Sequence, residues 1–261
     1  MWYTIIVNEG NEDKPHNRKE LLMNRKKKIL VIDTETCGDI KHPLPYDIGA
    51  QIMDLDGYVY EAGSWVVYET YVGQRELMKS AYYANKLPQY EIDLAYGKRV
   101  MKKFFNIRRI LMDWLIKYDV DTVAAYNTNF DVRALNNLMR SIMDNRFVRF
   151  FPKSINFIDI WAMAAYAICG TAAYQRNAYE EDWFSDKGNI RTTAECVFSF
   201  ISGNTDFEES HTALEDVEIE SAIMLYCWKK TKAEQRSIIG NPWRIPQKEW
   251  KYREARKDGI I

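Results

Sequence analysis

The chain has 261 residues, of which 47% are hydrophobic and 28% are charged, and its formal net charge at pH 7 is −1. This composition is typical of a globular protein with an ample core and excludes collagen-like and disordered classes. A net charge near zero also excludes a globally basic surface, so binding of a polyanion would depend on a local patch or on bound cations.

The cysteines and the apolar segments indicate a compartment. Cys37, Cys169, Cys196 and Cys227 are widely separated and form no C-x-x-C pair, which favours reduced thiols over a zinc knuckle or a disulfide framework. The N-terminal residues show no signal-peptide pattern. The longest mostly apolar run, residues 160–174, is shorter than the roughly 18 residues that indicate a membrane span. We therefore expect a cytoplasmic protein with no membrane partner.

The first half of the chain is predicted to be mostly β-structure followed by a helix. Residues 1–25 form a predicted extension, and an aliphatic run predicts a strand over 28–35 that is buried on both faces. Asp56-Gly57 divides residues 47–69 into a hairpin. Apolar residues at spacings of three and four then predict a helix over 99–118. Its apolar stripe consists of Val100, Phe104, Ile107, Leu111 and Leu115.

The second half alternates strands and helices. The predicted order is a strand over 122–126, a helix over 130–143, a strand over 155–159 and a helix from near Trp161. Two helices follow, over 193–201 and 213–229, and Thr192 is placed to cap the first of them. A hairpin beside a β-α-β-α half predicts an α/β fold, a mixed sheet with helices on both faces.

The predicted first strand ends in the pair Asp33 and Glu35. Residues two apart in a strand project from the same side, so these carboxylates would lie about 7 Å apart along the backbone. Acid pairs also occur on solvated strand edges, but this pair follows four aliphatic residues typical of a buried strand. Because two adjacent like charges repel each other, we interpret the pair as a binding site for metal ions.

Two later segments supply further candidates. Asp131 opens a predicted helix, where the helix dipole alone would also favour an acid. His211 precedes Asp216 by five residues, or roughly 140° around a regular helix. The two side chains can therefore converge only if His211 stays in the loop ahead of the helix. We interpret His16 and His42 as solvated, since they lie in polar or proline-bounded loops.

Together these segments resemble a known family. DTET at 33–36, NxxFD at 127–131 and HTALED at 211–216 are similar to the three motifs of the DEDDh 3′–5′ exonucleases, which include proofreading subunits and RNase T-like enzymes. The resemblance implies an RNase H-like fold with a mixed five-stranded sheet. It covers about residues 26–230, leaving the extension at 1–25 and a basic, aromatic tail at 231–261.

The resemblance also implies a role for each site residue. Asp33 would bridge two Mg²⁺ ions, for which Mn²⁺ can substitute, while Glu35 and Asp216 complete the site of the ion that activates water. Asp131 would hold the second ion, and His211 would be the general base. Hard oxygen ligands suit these ions, and a near-neutral pKa suits a base. The implied reaction releases nucleoside 5′-monophosphates from a 3′ end.

The motifs leave both the nucleic-acid substrate and the biological process open. Analogy with the family favours single-stranded DNA, a role in replication, repair or proofreading, and a separate polymerase as a partner. The alternatives are an exoribonuclease, an endonuclease of the wider RNase H-like group, and an inactive nucleic-acid- or protein-binding module. All five site positions are filled, which argues against the inactive module. Aromatic residues of 170–192 and of the tail either stack on bases or pack against the domain, and packing is favoured.

Overall fold

A computed structural model describes residues 27–208, 211–231 and 241–247 of the chain. Its strands are β1 (Lys28–Cys37), β2 (Leu44–Asp54), β3 (Val59–Val67), β4 (Met101–Lys102), β5 (Thr122–Ala125) and β6 (Asn156–Asp159). They form one mixed sheet in the order β4-β3-β2-β1-β5-β6. The β1-β2 and β2-β3 pairs are antiparallel, and the other pairs are parallel. The predicted α/β class and mixed sheet are confirmed.

The sheet has one strand more than the predicted five. Val66 and Val67 at the edge of β3 pair in parallel with β4, and Val66 N also donates to the carbonyl oxygen of Val100. The predicted helix over 99–118 is therefore wrong at its start, because its first residues extend the sheet instead. Val100 is 48% exposed and lies outside the apolar stripe.

The described helices pack on both faces of this sheet. They are α1 (Tyr68–Tyr71), α2 (Arg75–Met78), α3 (Leu87–Ala95), α4 (Phe104–Tyr118), α5 (Thr128–Met143), α6 (Ile160–Ala164), α7 (Ala172–Glu180), α8 (Ala194–Ser202) and α9 (Ala213–Thr231). A 3₁₀ turn, Ala84–Lys86, precedes α3, and a π-helical segment, Ala165–Cys169, continues α6. Leu30 and Ile32 of β1 pack in a cluster with α4 and α5, whereas Ile29 and Val31 pack against α6 and α9. Strand β1 is thus buried on both faces, as predicted.

The segment between β3 and β4 forms a third small cluster against β2. Tyr46 of β2 packs edge-on against Tyr90 of α3, with ring centroids 5.6 Å apart. The Tyr90 hydroxyl donates to Asp47 Oδ2 at 2.7 Å, and Arg99 Nη1 donates to the same oxygen at 3.2 Å. Because Asp47 is fully buried, these bonds compensate a charge that would otherwise be costly. They fix α3 and its neighbours to the sheet.

Several predictions concern residues near the ends of the chain. The extension at 1–25 lies outside the described residues, as do Trp250 and Tyr252 of the tail. Within 241–247, Gln247 accepts a hydrogen bond from Ile190 N at 2.8 Å and donates to Ile190 O at 2.7 Å, so this piece packs against the domain. None of the helices that the structure describes combines the length and apolarity needed to span a bilayer.

Residues 170–192 contain helix α7 rather than loop alone, and Tyr174 of that helix is fully buried. The predicted cap by Thr192 is wrong, because the hydroxyl of Thr193 accepts the capping bond from Cys196 N. The hydroxyl of Thr192 instead accepts a bond from Trp161 Nε1 at 2.8 Å. The aromatic residues with described partners here mainly support the core.

Helix α9 crosses the sheet against Gly49 of β2. Gly49 lies directly opposite Asp33 in the β1-β2 ladder, so a Cβ atom at position 49 would project from the same face of the sheet as the Asp33 side chain. A Cβ atom at Gly49 would overlap the backbone of Ala213 and Leu214 in the first turn of α9. A residue with a side chain would therefore push this end of α9 away from the sheet.

We expect Gly49→Ala to lower the free energy of unfolding by about 1–3 kcal/mol, because the added methyl group overpacks a backbone contact that cannot yield by rotamer change. Urea denaturation measures this change. Gly170→Ala is the matched control, since the nearest atom to its Cβ would be Ala165 O at 3.4 Å, an ordinary contact. Equal stability of the two variants would show that α9 does not approach β2 as described.

Candidate active site

A cavity of about 270 Å³ lies toward the carboxyl end of β1. Its lining includes Asp33, Glu35, Asp131, His211 and Asp216. The other lining residues are Thr34, Thr36, Tyr82, Tyr83, Tyr126 and Phe130. All of the residues that the sequence analysis selected are thus brought together, although they come from three distant segments.

Glu35, His211 and Asp216 form the tightest group. Each offers one ligand atom, and these atoms lie within 4.8 Å of one another. Helix α9 begins at Ala213, so Asp216 lies in its first turn and His211 lies ahead of the helix. The side chains of His211 and Asp216 can converge in this arrangement, as the sequence analysis required. Two carboxylates and an imidazole at this separation could hold a divalent cation.

Asp131 is fixed against β1 by hydrogen bonds. Its Oδ1 accepts from Thr34 N at 3.1 Å and from Thr34 Oγ1 at 2.8 Å. Burial raises the pKa of Asp131 to about 7, and the bonds from Thr34 partly offset this effect. The sequence analysis did not select Thr34, although it lies between the two acids of the first motif.

Glu220 is the acid that sequence reasoning missed. It lies one turn beyond Asp216 on α9, is only 3% exposed, and accepts a hydrogen bond from Tyr126 N at 3.0 Å. The pKa of Asp33 is raised well above its ordinary value, first by burial and then by the negative charge of Glu220. Asp131, Glu35 and Asp216 raise it further. An acid at a helix position that faces the core, one turn from a candidate ligand, was the available signal.

His211 has a distinct environment from the acids. Its ring stacks on Tyr83, with ring centroids 4.0 Å apart and planes at 15°. Burial lowers the pKa of His211, and the positive charge of Lys86 lowers it further, whereas Glu195 opposes the shift. A lowered pKa keeps the imidazole neutral at pH 7, which is the form that can accept a proton.

The lining of the cavity is rich in acidic side chains. Among the residues described around it, none that lines the cavity is Lys or Arg. The carboxylate oxygens of the lining residues are the kind of donor that suits hard divalent ions. A buried Glu, His and Asp group that could bind a metal is thus present.

Comparisons with solved structures find exonucleases. A complex of E. coli exonuclease I with a dA16 oligonucleotide aligns over 90% of this chain and 45% of that chain, with 14% identity and a TM-score of 0.47. The zinc-bound E. coli exonuclease I–ssDNA complex aligns over 79% and 41%, with 12% identity and a TM-score of 0.49. Exonuclease X with 5′ overhanging duplex DNA aligns over 78% and 93%, with 15% identity and a TM-score of 0.37.

The similarities are to solved structures only. The chain spans less than half of the length of the exonuclease I chains that it resembles. No protein-family model matches the chain, and no curated protein sequence matches it.

The raised pKa values give a test in metal-free protein. A carboxyl whose pKa is raised on folding stabilises the fold at low pH and loses that contribution as pH rises; for Asp131 the loss runs from about pH 4 to about pH 7. Asp33→Asn removes one of the repelling charges. We expect it to raise the free energy of unfolding at pH 8, with chelator present, because the repulsion that raises the pKa of Asp33 is then absent.

Chemical denaturation between pH 5 and pH 8 measures the effect. The exposed Asp186 supplies the matched control, and Asp186→Asn should leave the pH dependence as in the unchanged protein. A stability that does not fall with pH in the unchanged protein, or that Asp33→Asn does not increase, contradicts the mutual repulsion of the site acids.

Proposed function

We propose that the chain is a divalent-metal-dependent 3′–5′ exonuclease of the DEDDh type. The observation that carries this proposal is the convergence of Asp33, Glu35, Asp131, His211 and Asp216 on one cavity. The proposed reaction is hydrolysis of terminal phosphodiesters of single-stranded DNA to nucleoside 5′-monophosphates. The preference for DNA over RNA, and a setting in replication or repair, come from the family resemblance.

The residues present fit the pair of Mg²⁺ ions that the resemblance implies. Asp33, Glu35, Asp131 and Asp216 would hold the ions, since carboxylate oxygens are the ligands that Mg²⁺ and Mn²⁺ favour. When bound, two such ions stabilise charge on the attacking and leaving oxygens of a phosphodiester. The positive charge that such ions would supply suits a cavity whose acidic lining would otherwise repel a polyanion.

The side chains of the chain itself perform the remaining tasks. His211 would take the proton of the attacking water, because its lowered pKa leaves the ring neutral at pH 7. The two bonds from Thr34 hold the Asp131 carboxylate in a fixed orientation, which reduces the reorganisation needed during the reaction. The first turn of α9 holds Asp216, whose carboxylate lies within 4.8 Å of a ligand atom of Glu35 and of His211.

We expect the protein to shorten a 5′-labelled single-stranded oligonucleotide in Mg²⁺ or Mn²⁺, with mononucleotides as the product, and chelator to abolish the reaction. Asp33→Ala and His211→Ala should each lower kcat at least about 100-fold, since each removes a group that acts on the reacting atoms. Gel electrophoresis with chromatography of the products measures both effects.

Asp186→Ala serves as the control for these variants, because its side chain is exposed and lies outside the cavity lining. Two further substrates separate the alternative activities: RNA of matched sequence, and DNA in which only the 5′ end is accessible. Faster loss of RNA favours an exoribonuclease, and internal cuts favour an endonuclease. Metal binding in calorimetry without any hydrolysis would instead point to an inactive binding module, and full activity in Asp33→Ala would overturn the proposal.

A further inference from the structure

His211 lies in the loop immediately ahead of helix α9. Its φ is 51°, in the left-handed region that residues other than glycine seldom adopt, and helix α9 begins only two residues later. The imidazole ring of His211 packs face to face against an aromatic ring. Tyr83 provides that packing, with ring centroids 4.0 Å apart and nearly parallel planes.

Tyr83 is itself held by the segment between β3 and β4. Lys86 N donates to Tyr83 O at 2.9 Å in the turn that leads into α3, and the Tyr82 ring packs edge-on against the Tyr83 ring. Helix α3 is anchored by the bond from Tyr90 to buried Asp47 of β2. Asp47 lies opposite Glu35 in the β1-β2 ladder, so this support and the candidate metal ligands share one rigid sheet.

We propose that Tyr83 is a positioning residue, which holds the imidazole of His211 in the orientation needed to accept a proton from water. This inference rests on the proposed nuclease function and adds a residue outside the family motifs to it. A flat aromatic ring at 4.0 Å restricts rotation of the imidazole plane and excludes water from one of its faces. The phenol hydroxyl is not required for this role, so the ring alone should suffice.

The location of Tyr83 indicates that it orients His211 rather than packing the core. The residue is half-buried and lines the site cavity, whereas the fully buried aromatic residue of the same segment is Tyr90. Removal of the Tyr83 ring should therefore affect the orientation of His211 more than the stability of the fold. The rate of the chemical step should then fall while substrate affinity changes little.

The test compares Tyr83→Ala, Tyr83→Leu and Tyr83→Phe in the full chain, with kcat and KM measured separately on a 5′-labelled oligonucleotide. Misplacement of a reacting group by about 1 Å can cost roughly 100-fold, so we expect the Ala and Leu variants to lose about 10- to 100-fold in kcat with little change in KM. Tyr83→Phe should retain near-normal kcat. Tyr96→Ala is the matched control, since Tyr96 belongs to the same segment and is 80% exposed.

A second readout does not depend on activity. The chain has only three histidines, so the imidazole C–H signals in an NMR spectrum can be assigned by substitution. The ring of Tyr83 should shift the His211 signals upfield, and this shift should persist in Tyr83→Phe and disappear in Tyr83→Leu. If Tyr83→Ala does not fold, the Leu variant supplies both measurements.

The outcomes distinguish the two proposals. An inactive wild-type protein with an intact His211 upfield shift would overturn the nuclease function, and the catalytic part of this inference with it. An active wild-type protein whose Ala and Leu variants keep normal kcat would overturn the inference alone. A drop in kcat that Tyr83→Phe does not rescue would assign the effect to the hydroxyl, which also overturns it.

Discussion

The mutual repulsion of buried carboxylates is the constraint on which the rest of the site depends. Asp33 experiences the negative charges of Glu220, Asp131, Glu35 and Asp216. At an effective dielectric of about 20, each like-charged pair about 4–7 Å apart costs about 2–4 kcal/mol. A domain of marginal stability cannot hold several such pairs ionised without compensation. Hydrogen bonds to Asp131 and Glu220 offset part of this repulsion, and bound protons offset more of it, which raises the pKa values of Asp33 and Asp131. Bound cations would do the same under the proposed chemistry.

The backbone maintains this unfavourable arrangement. Gly49 lets the first turn of α9 lie directly on β2, opposite the position of Asp33, so the His211–Asp216 unit approaches β1. On the other side, the backbone and hydroxyl of Thr34 hold Asp131 near the strand. A register shift in the β1-β2 ladder immediately follows Glu35, so the pairing becomes irregular beside this acid. Contacts that involve main-chain atoms are stiff, and they can oppose the repulsion between the side chains.

The sequence predicted the parts of the fold that depend on local pattern. The aliphatic run predicted β1, the Asp56-Gly57 turn predicted the hairpin, and the periodic apolar stripe predicted α4, and the structure contains all three. Strand β4 was not predictable in this way, because two residues carry no pattern and their strand forms only through pairing with β3. Likewise, the segment with Tyr83 has no periodic link to His211, from which it is separated by more than a hundred residues along the chain.

The candidate site shows the same division. Asp33, Glu35, Asp131, His211 and Asp216 were found because short motifs carry them. Glu220 was missed because it lies within a helix whose acids could equally face solvent, and only the packing of α9 against the sheet buries it. Thr34 was missed because its role depends on a partner 97 residues away. Contacts between distant segments, rather than residue type, decide which of the remaining polar side chains belong to the site.

The acidity of the cavity also links its two proposed ligands. Under the proposed function, the four carboxylates that line the cavity repel phosphate, and divalent ions bound between them would remove that repulsion. Binding of the ions and of the polyanion must then favour each other, and this coupling is reciprocal in free energy. Lys86, near His211, adds positive charge on one side of the site without replacing the ions between the acids. Under the proposed function, the protein thus retains little affinity for nucleic acid at this site without metal, even though the side chains that would act on it are already assembled.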